Sequence, residues 1–244
     1  MPRGADSPWE QIAPIMFDDA RWAAAVGEVD AAVALMEIQP PASILDVACG
    51  PGRHVLELAR RRYDATGLDV TAAFLEVARH RAATEGLHIQ LLAADMRRFD
   101  LPKQFDGVLS MSTSFGYFEN PDDDILVLEN VYRALKPGGV FLMELLSKEV
   151  AARTLQPRSW MEDGGTILLT EQRISNEWNW MHHRLVFIQE DVRQSFDLGH
   201  RLYAASELRF LLQRTGFERV NLYGSLEGEP YDEGASTLVL VAHS

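Results

Sequence analysis

The chain holds a single cysteine, Cys49, which excludes an internal disulfide and a cysteine-rich zinc site and is compatible with a reducing compartment. Long apolar runs are missing too: the hydrophobic stretches are short and broken by charge, well below the roughly 18 residues that a membrane span needs. Cations are scarce, with 23 Lys and Arg against 36 Asp and Glu and a formal charge of -13. Such a field repels phosphate backbones unless a local basic stripe overrides it. The densest basic cluster, Arg60, Arg61 and Arg62, falls at the end of a predicted helix, where cations suit the dipole and need no polyanion. Met1 to Glu10 carry no apolar core of the kind a secretory leader requires, so a cytoplasmic location is expected. These absences point away from membrane and nucleic acid; a monomer or homodimer is expected, with nothing in the sequence choosing between them.

What is present is a core. Hydrophobic residues make up 47% of 244, enough for one full domain, and 1–244 is read as such. From Ser43 to Ser147, short β-rich runs alternate with longer segments of helical period, the pattern of βαβ units on a parallel sheet. Strands are expected at Ser43 to Val47, Ala65 to Asp69, Ile89 to Ala93, Phe105 to Met111 and Gly139 to Leu145. After Asp69, Thr71 stands as a cap, Phe74, Leu75, Ala78 and Ala82 share one face, and Gly86 closes the helix. A helix from Asp123 to Leu135 is stopped and turned by Lys136-Pro137-Gly138-Gly139. Before the core, Trp9 to Gln39 reads as a helix broken near Pro14, making 1–40 a helical lid. After it, Thr166 to Ile174, Trp180 to Gln189 and Val192 to Tyr203 follow without helices between them, so 148–203 reads as an inserted antiparallel meander, a usual seat of specificity. Ser206 then caps a helix to Thr215, and strands at Phe217 to Tyr223 and Thr237 to Ala242 complete a seven-stranded, mostly parallel, doubly wound Rossmann-like sheet.

The chemistry concentrates where the first strand runs into glycine: Ile44-Leu45-Asp46-Val47-Ala48-Cys49-Gly50-Pro51-Gly52-Arg53-His54. Bare main chain there lets a ligand approach, and the helix that follows presents free N–H groups to an anion. A dinucleotide fingerprint needs a third glycine where this chain has Val55, which counts against a nicotinamide or flavin enzyme. Asp69 ends the second strand 17 positions after Gly52, where a carboxylate can accept both hydroxyls of a ribose, and Asp95-Met96 ends the third.

In these residues the chain resembles the class I S-adenosylmethionine-dependent methyltransferases, especially small-molecule N- and O-methyltransferases of natural-product and amino-sugar pathways. The likeness runs from Ser43 to Leu145 and is weaker over the last two strands. It rests on Leu45 to Gly52, Gly67-Leu68-Asp69, Ala94-Asp95-Met96, Phe105-Asp106 and Leu135-Lys136-Pro137-Gly138-Gly139. It implies that S-adenosylmethionine lays its methionine part over Gly50 and Gly52, its ribose on Asp69 beside Val70, and its adenine on Asp95 and the Met96 N–H, with Met111 also near. Ala48 stands where many relatives have glycine, so its methyl must point away from the ligand, and Asp46 is expected to order the loop through backbone N–H groups. The implied reaction passes a methyl group to nitrogen or oxygen of a small metabolite, leaves S-adenosylhomocysteine and needs no metal. A non-catalytic cofactor-binding subunit and a nicotinamide oxidoreductase are the competing readings.

Methyl transfer from a sulfonium requires chiefly alignment and dryness, with a general base as an aid. Candidates lie past the fourth strand, in Ser112 to Phe118: Tyr117 to orient or deprotonate the acceptor, Ser114 and Phe115 to wall its pocket. Trp160, Arg201 and Tyr223 are further substrate candidates, and Trp9 and Phe17 are expected to close over the cofactor. Cys49 reads as a packed residue rather than a nucleophile, and Asp122-Asp123-Asp124 as helix capping rather than metal ligands. His182 and His183 are neighbours on a strand and face opposite sides, which keeps them from sharing a metal.

Overall fold

The central strands β1 (Ser43–Val47), β4 (Phe105–Ser110) and β5 (Leu135–Leu145) are apolar on both faces, which demands cover on both sides. The computed structural model, which describes residues 8–163, 165–189 and 192–244, supplies it. Residues 1–7 of the expected lid and 164, 190 and 191 of the expected insertion lie outside the described residues. Along β5, Phe141 and Met143 join one core cluster with α5 (Pro121–Ala134) and α7 (Ala205–Thr215). Val140 and Leu142 alternate into the other, with α2 (Asp19–Leu35) and α3 (Arg53–Arg60).

With β2 (Asp64–Asp69), β3 (Gln90–Ala93), β10 (Arg219–Tyr223) and β11 (Leu238–His243), the main sheet has the order β10-β11-β5-β4-β1-β2-β3. β11 pairs antiparallel with both β10 and β5, and the other pairings are parallel. Strand order reverses between β1 and β4, so a crevice opens at their carboxyl ends, the place where open α/β sheets bind ligands. At the junction of α5 and β5, register against β4 jumps from Phe105↔Leu135 to Gly107↔Val140, and the Lys136 to Gly139 turn loops out between the two pairings.

The expected lid is two helices, α1 (Pro8–Met16) and α2, and the break falls at 17–18 rather than at Pro14, because Asp18 accepts from the Arg21 N–H and starts a new helix. The meander has four strands, not three: β6 (Arg158–Asp163), β7 (Thr166–Ser175), β8 (Trp180–Gln189) and β9 (Val192–Arg201), preceded by a short α6 (Lys148–Thr154). Its inner face packs Leu168 and Phe187 on Ile12 of α1. Two caps differ from expectation. Thr71 precedes α4 (Ala72–Glu85) without a side-chain bond, its N–H going to Asp69 instead, and α7 starts after Ala204, whose N–H donates to Glu207 while Ser206 lies inside the helix. No helix among the described residues is long and apolar enough to cross a membrane.

Candidate active site

The crevice at the sheet's switch point is a cleft of about 860 Å³, its open mouth included. Ala48 and Gly50 from the first loop, Asp69 and Val70 from the end of β2, and Asp95 and Met96 beyond β3 face into it. Ser112 to Ser114 and Tyr117 line the far side, while Trp9, Met16 and Phe17 cover it from the lid. Ala48 holds φ +59°, a left-handed conformation that glycine takes without cost. The Phe17 ring lies 3.0 Å from where a Cβ on Gly50 would stand and meets Phe74 edge-on at 5.4 Å, so the lid rests directly on the bare loop.

Two carboxylates dominate the polar surface. Asp69 is buried, and the N–H of Gly50 donates to its Oδ2 (2.9 Å) while that of Thr71 donates to its Oδ1 (2.7 Å). Burial pushes its pKa above the ordinary carboxylate value despite these bonds. Each oxygen keeps a lone pair for a further donor. Asp95 accepts from Arg97, Nε to Oδ1 at 3.0 Å and Nη2 to Oδ2 at 2.6 Å, and this guanidinium holds its carboxyl below the usual range. Arg97 also pairs with Asp123 at 2.7 Å, lies over the Phe118 ring at 4.4 Å and itself lines the cleft.

The loop after β4 is strained. Ser112 and Thr113 both have positive φ, 57° and 56°, an outlier for β-branched threonine. Glu144 of β5 enforces it: the Ser112 N–H donates to its Oε2 (2.7 Å) and the Thr113 N–H to its carbonyl oxygen (3.1 Å). Further on, Tyr117 sits between Trp9 (5.2 Å, edge-on) and His200 (5.5 Å), and His200 stacks on His183 at 5.2 Å. Burial pushes the Tyr117 phenol up to about 12, so it stays protonated at neutral pH and can orient a ligand by donating, not by taking a proton. His200 is buried with neither ring nitrogen bonded, and burial pushes it down to about 3, which makes it a weak base.

Residues 44–139 match the family model described as a methyltransferase domain. Over this stretch, less than half of the chain, the sequence is similar to such a domain. Over 126 residues it is 39% identical to a dTDP-4-amino-2,3,4,6-tetradeoxy-D-glucose N,N-dimethyltransferase of Saccharopolyspora spinosa, covering 50% of this chain and 47% of that one. Over 102 residues it is 35% identical to a dTDP-3-amino-3,4,6-trideoxy-alpha-D-glucopyranose N,N-dimethyltransferase of Streptomyces venezuelae, covering 42% and 41%. The chain thus spans less than half the length of either relative. An S-adenosylmethionine-dependent methyltransferase from Clostridium acetobutylicum superposes with a TM-score of 0.79 at 16% identity, covering 96% of each chain, which shows a common fold.

Several expected site residues do not line the cleft. Gly52 is needed for packing, since a Cβ there would come within 2.7 Å of Ala78 Cβ on α4. Asp46 does not order the loop by accepting backbone N–H groups. It is buried with Oδ2 3.7 Å from His54 Nδ1. His54 also meets Glu28 of α2 at 2.8 Å, and although burial opposes its charge, the two carboxylates hold its pKa at about 9. Met111 is buried under the cleft among residues of the second core, and Phe115 turns inward to Tyr203 at 5.6 Å. Trp160 stands 69% exposed on the edge strand β6, and Tyr223 packs on the second core. Arg201 turns away from the cleft to Asp124 and the main chain of the Tyr117 loop. Missed by the sequence reading were Arg97, signalled only as a charged residue after Asp95-Met96, and Glu144, signalled only as a charged residue within the apolar strand β5.

Proposed function

We propose that this domain transfers a methyl group from S-adenosylmethionine to an amino nitrogen of a small metabolite, releasing S-adenosylhomocysteine. The observation that carries the reading is the placement of Asp69 and Asp95 at neighbouring strand ends, facing one cleft whose floor is the main chain at 48–50. The donor set suits the cofactor: Asp69 has lone pairs left for ribose hydroxyls, and Leu68, Val70, Ala94, Met96 and Phe118 offer apolar walls to a flat base. When bound, S-adenosylmethionine supplies a methyl group activated on a sulfonium. The chain's part is to hold, align and keep dry. Trp9 and Phe17 exclude water, and Tyr117, protonated, donates to the acceptor.

The weakness of bases at the acceptor end favours nitrogen over oxygen. Ser112, Thr113, Ser114 and Tyr117 line it, and among the described residues none of these takes a proton near neutral pH, while His200 behind them stays neutral. An alcohol needs a strong base. An amine needs only to shed a proton to water before its lone pair attacks. The named activities of the two similar N,N-dimethyltransferases support the same atom and suggest an amino sugar on a nucleoside diphosphate as the class of acceptor.

The test is calorimetric titration with S-adenosylhomocysteine and, separately, NAD, followed by incubation with labelled S-adenosylmethionine and a panel of dTDP-amino sugars read by mass. Binding of S-adenosylhomocysteine alone, and product gaining one or two methyl groups, is expected. No affinity for S-adenosylhomocysteine would end the reading.

A further inference from the structure

Tyr117 reaches the cleft on a loop that is gripped from outside by one residue of the meander. The Arg201 N–H donates to the Gly116 carbonyl oxygen at 2.7 Å. Its guanidinium donates from Nη2 to the carbonyl oxygens of Phe118 (3.3 Å) and Glu119 (2.8 Å), and from Nε to Asp124 Oδ2 (3.2 Å). Asp124, fully buried in the first turn of α5, also accepts from the Tyr203 hydroxyl at 2.7 Å. Gly116 is at φ +96°, and a Cβ there would stand 2.8 Å from the Arg201 carbonyl oxygen, so β9 and the loop meet main chain to main chain. The preceding residue, His200, lies against the Tyr117 ring itself.

The side-chain bonds fall on residues 118–124 and the main-chain bond on Gly116, so together they bracket Tyr117, while the guanidinium also lies over the Trp180 ring of β8 at 5.6 Å. A residue serving general stability would have no reason to spend three directional donors on so short a stretch, and only a planar fork can reach the carboxylate and two carbonyls at once. Resting on the methyl-transfer reading, we infer that Arg201 is a positioning residue that acts through Tyr117, setting where the phenol meets the methyl acceptor. The meander thereby fixes the acceptor side of the cleft without touching the acceptor at Arg201.

The test uses the full chain labelled with meta-fluorotyrosine and the substitution Arg201→Lys, which keeps the charge beside Asp124 but loses the fork. The Tyr117 fluorine signal is assigned by its disappearance in Tyr117→Phe, and that of Tyr63, bonded far away to the Ile38 carbonyl oxygen, serves as the internal reference. Expected is a shifted, broadened Tyr117 signal with Tyr63 unmoved. Gly116→Ala, which drives the loop off β9, should displace the same signal. With dTDP-4-amino-2,3,4,6-tetradeoxy-D-glucose as the probe acceptor, Arg201→Lys should lower kcat about ten- to a hundredfold at unchanged S-adenosylhomocysteine affinity. In a Tyr117→Phe background the loss should shrink below about twofold, since coupled residues do not add. An unmoved Tyr117 signal, or the same loss in both backgrounds, overturns the inference. Failure of the wild type to methylate this probe counts against the proposed acceptor class, and the fluorine signals still decide the role of Arg201.

Discussion

Asp69 commits one lone pair on each oxygen to main-chain N–H groups and keeps the others free, so it braces the first loop and, in the proposed function, is the residue to hold the ribose. Asp69→Ala should weaken S-adenosylhomocysteine binding by roughly 1.5 to 3 kcal/mol, the scale of hydrogen bonds to a charged group. Calorimetric titration of the folded variant checks this, and an unchanged Kd would move the ribose elsewhere. Glu144 makes a different residue-scale case. Its side chain holds Ser112 in left-handed geometry while its main-chain carbonyl holds Thr113, so Glu144→Ala should free Ser112 and lower turnover while leaving S-adenosylhomocysteine affinity within about twofold. A kcat unaltered in that variant would show the strain to be incidental. Asp69, Asp95 and Gly50 were legible because each sits at a strand end or in the loop directly after one, where chain direction alone aims it at the crevice. Arg97 and Glu144 were not, nor was the placement of Arg201, which the sequence offered as a substrate contact, because a long charged side chain is placed by partners distant in sequence, such as Asp123 for Arg97, Thr237 for Glu144 and Asp124 for Arg201.

At the scale of elements, β1 and β8 match their sequence-read boundaries because an apolar run bounded by turns leaves no other register. β6 was invisible, since Arg158 to Glu162 shows little apolar alternation and leaves Trp160 and Met161 exposed, so its pairing to β7 rather than its own pattern makes it a strand. The network of Glu28, His54 and Asp46 joins α2, α3 and β1, and it gives the fold a pH dependence. The folded pKa of His54, about 9, lies above the ordinary value of 6.5, so its contribution is complete below about pH 6.5 and is lost as pH rises through 9. Urea unfolding should show wild-type stability exceeding that of His54→Asn by a margin that narrows by roughly 3 kcal/mol over that window. A margin that is constant with pH would mean that the imidazole is neutral in the fold. On the lid, Phe17 covers Gly50 and α1 is pinned to the meander through Ile12. Phe17→Ala uncovers the loop and should cost S-adenosylhomocysteine affinity about tenfold, the scale of one partly buried aromatic ring, as a titration of the variant would report.

For the whole molecule, the decisive fact is that lid, first loop, two strand ends and the β4 loop all converge on a single cleft, so a ligand filling it touches elements spread from residue 9 to residue 118. Binding there holds together parts that unfolding separates, and occupancy therefore feeds into global stability. At a concentration a hundredfold above Kd, S-adenosylhomocysteine should stabilise the native state by about 2.7 kcal/mol. For a domain of this size that is a rise in Tm of roughly 5 to 10 °C. NAD at the same concentration should leave Tm unchanged, because Val55 replaces the glycine that a dinucleotide pyrophosphate would need. Asp69→Ala should reduce the S-adenosylhomocysteine shift in proportion to its weaker binding, whereas Trp160→Ala, on the exposed face of β6, should reproduce the wild-type shift in full. If Trp160→Ala lost the shift as well, the ligand would be sensing the meander's outer face, and the convergence of elements on the cleft would not be what couples binding to the fold.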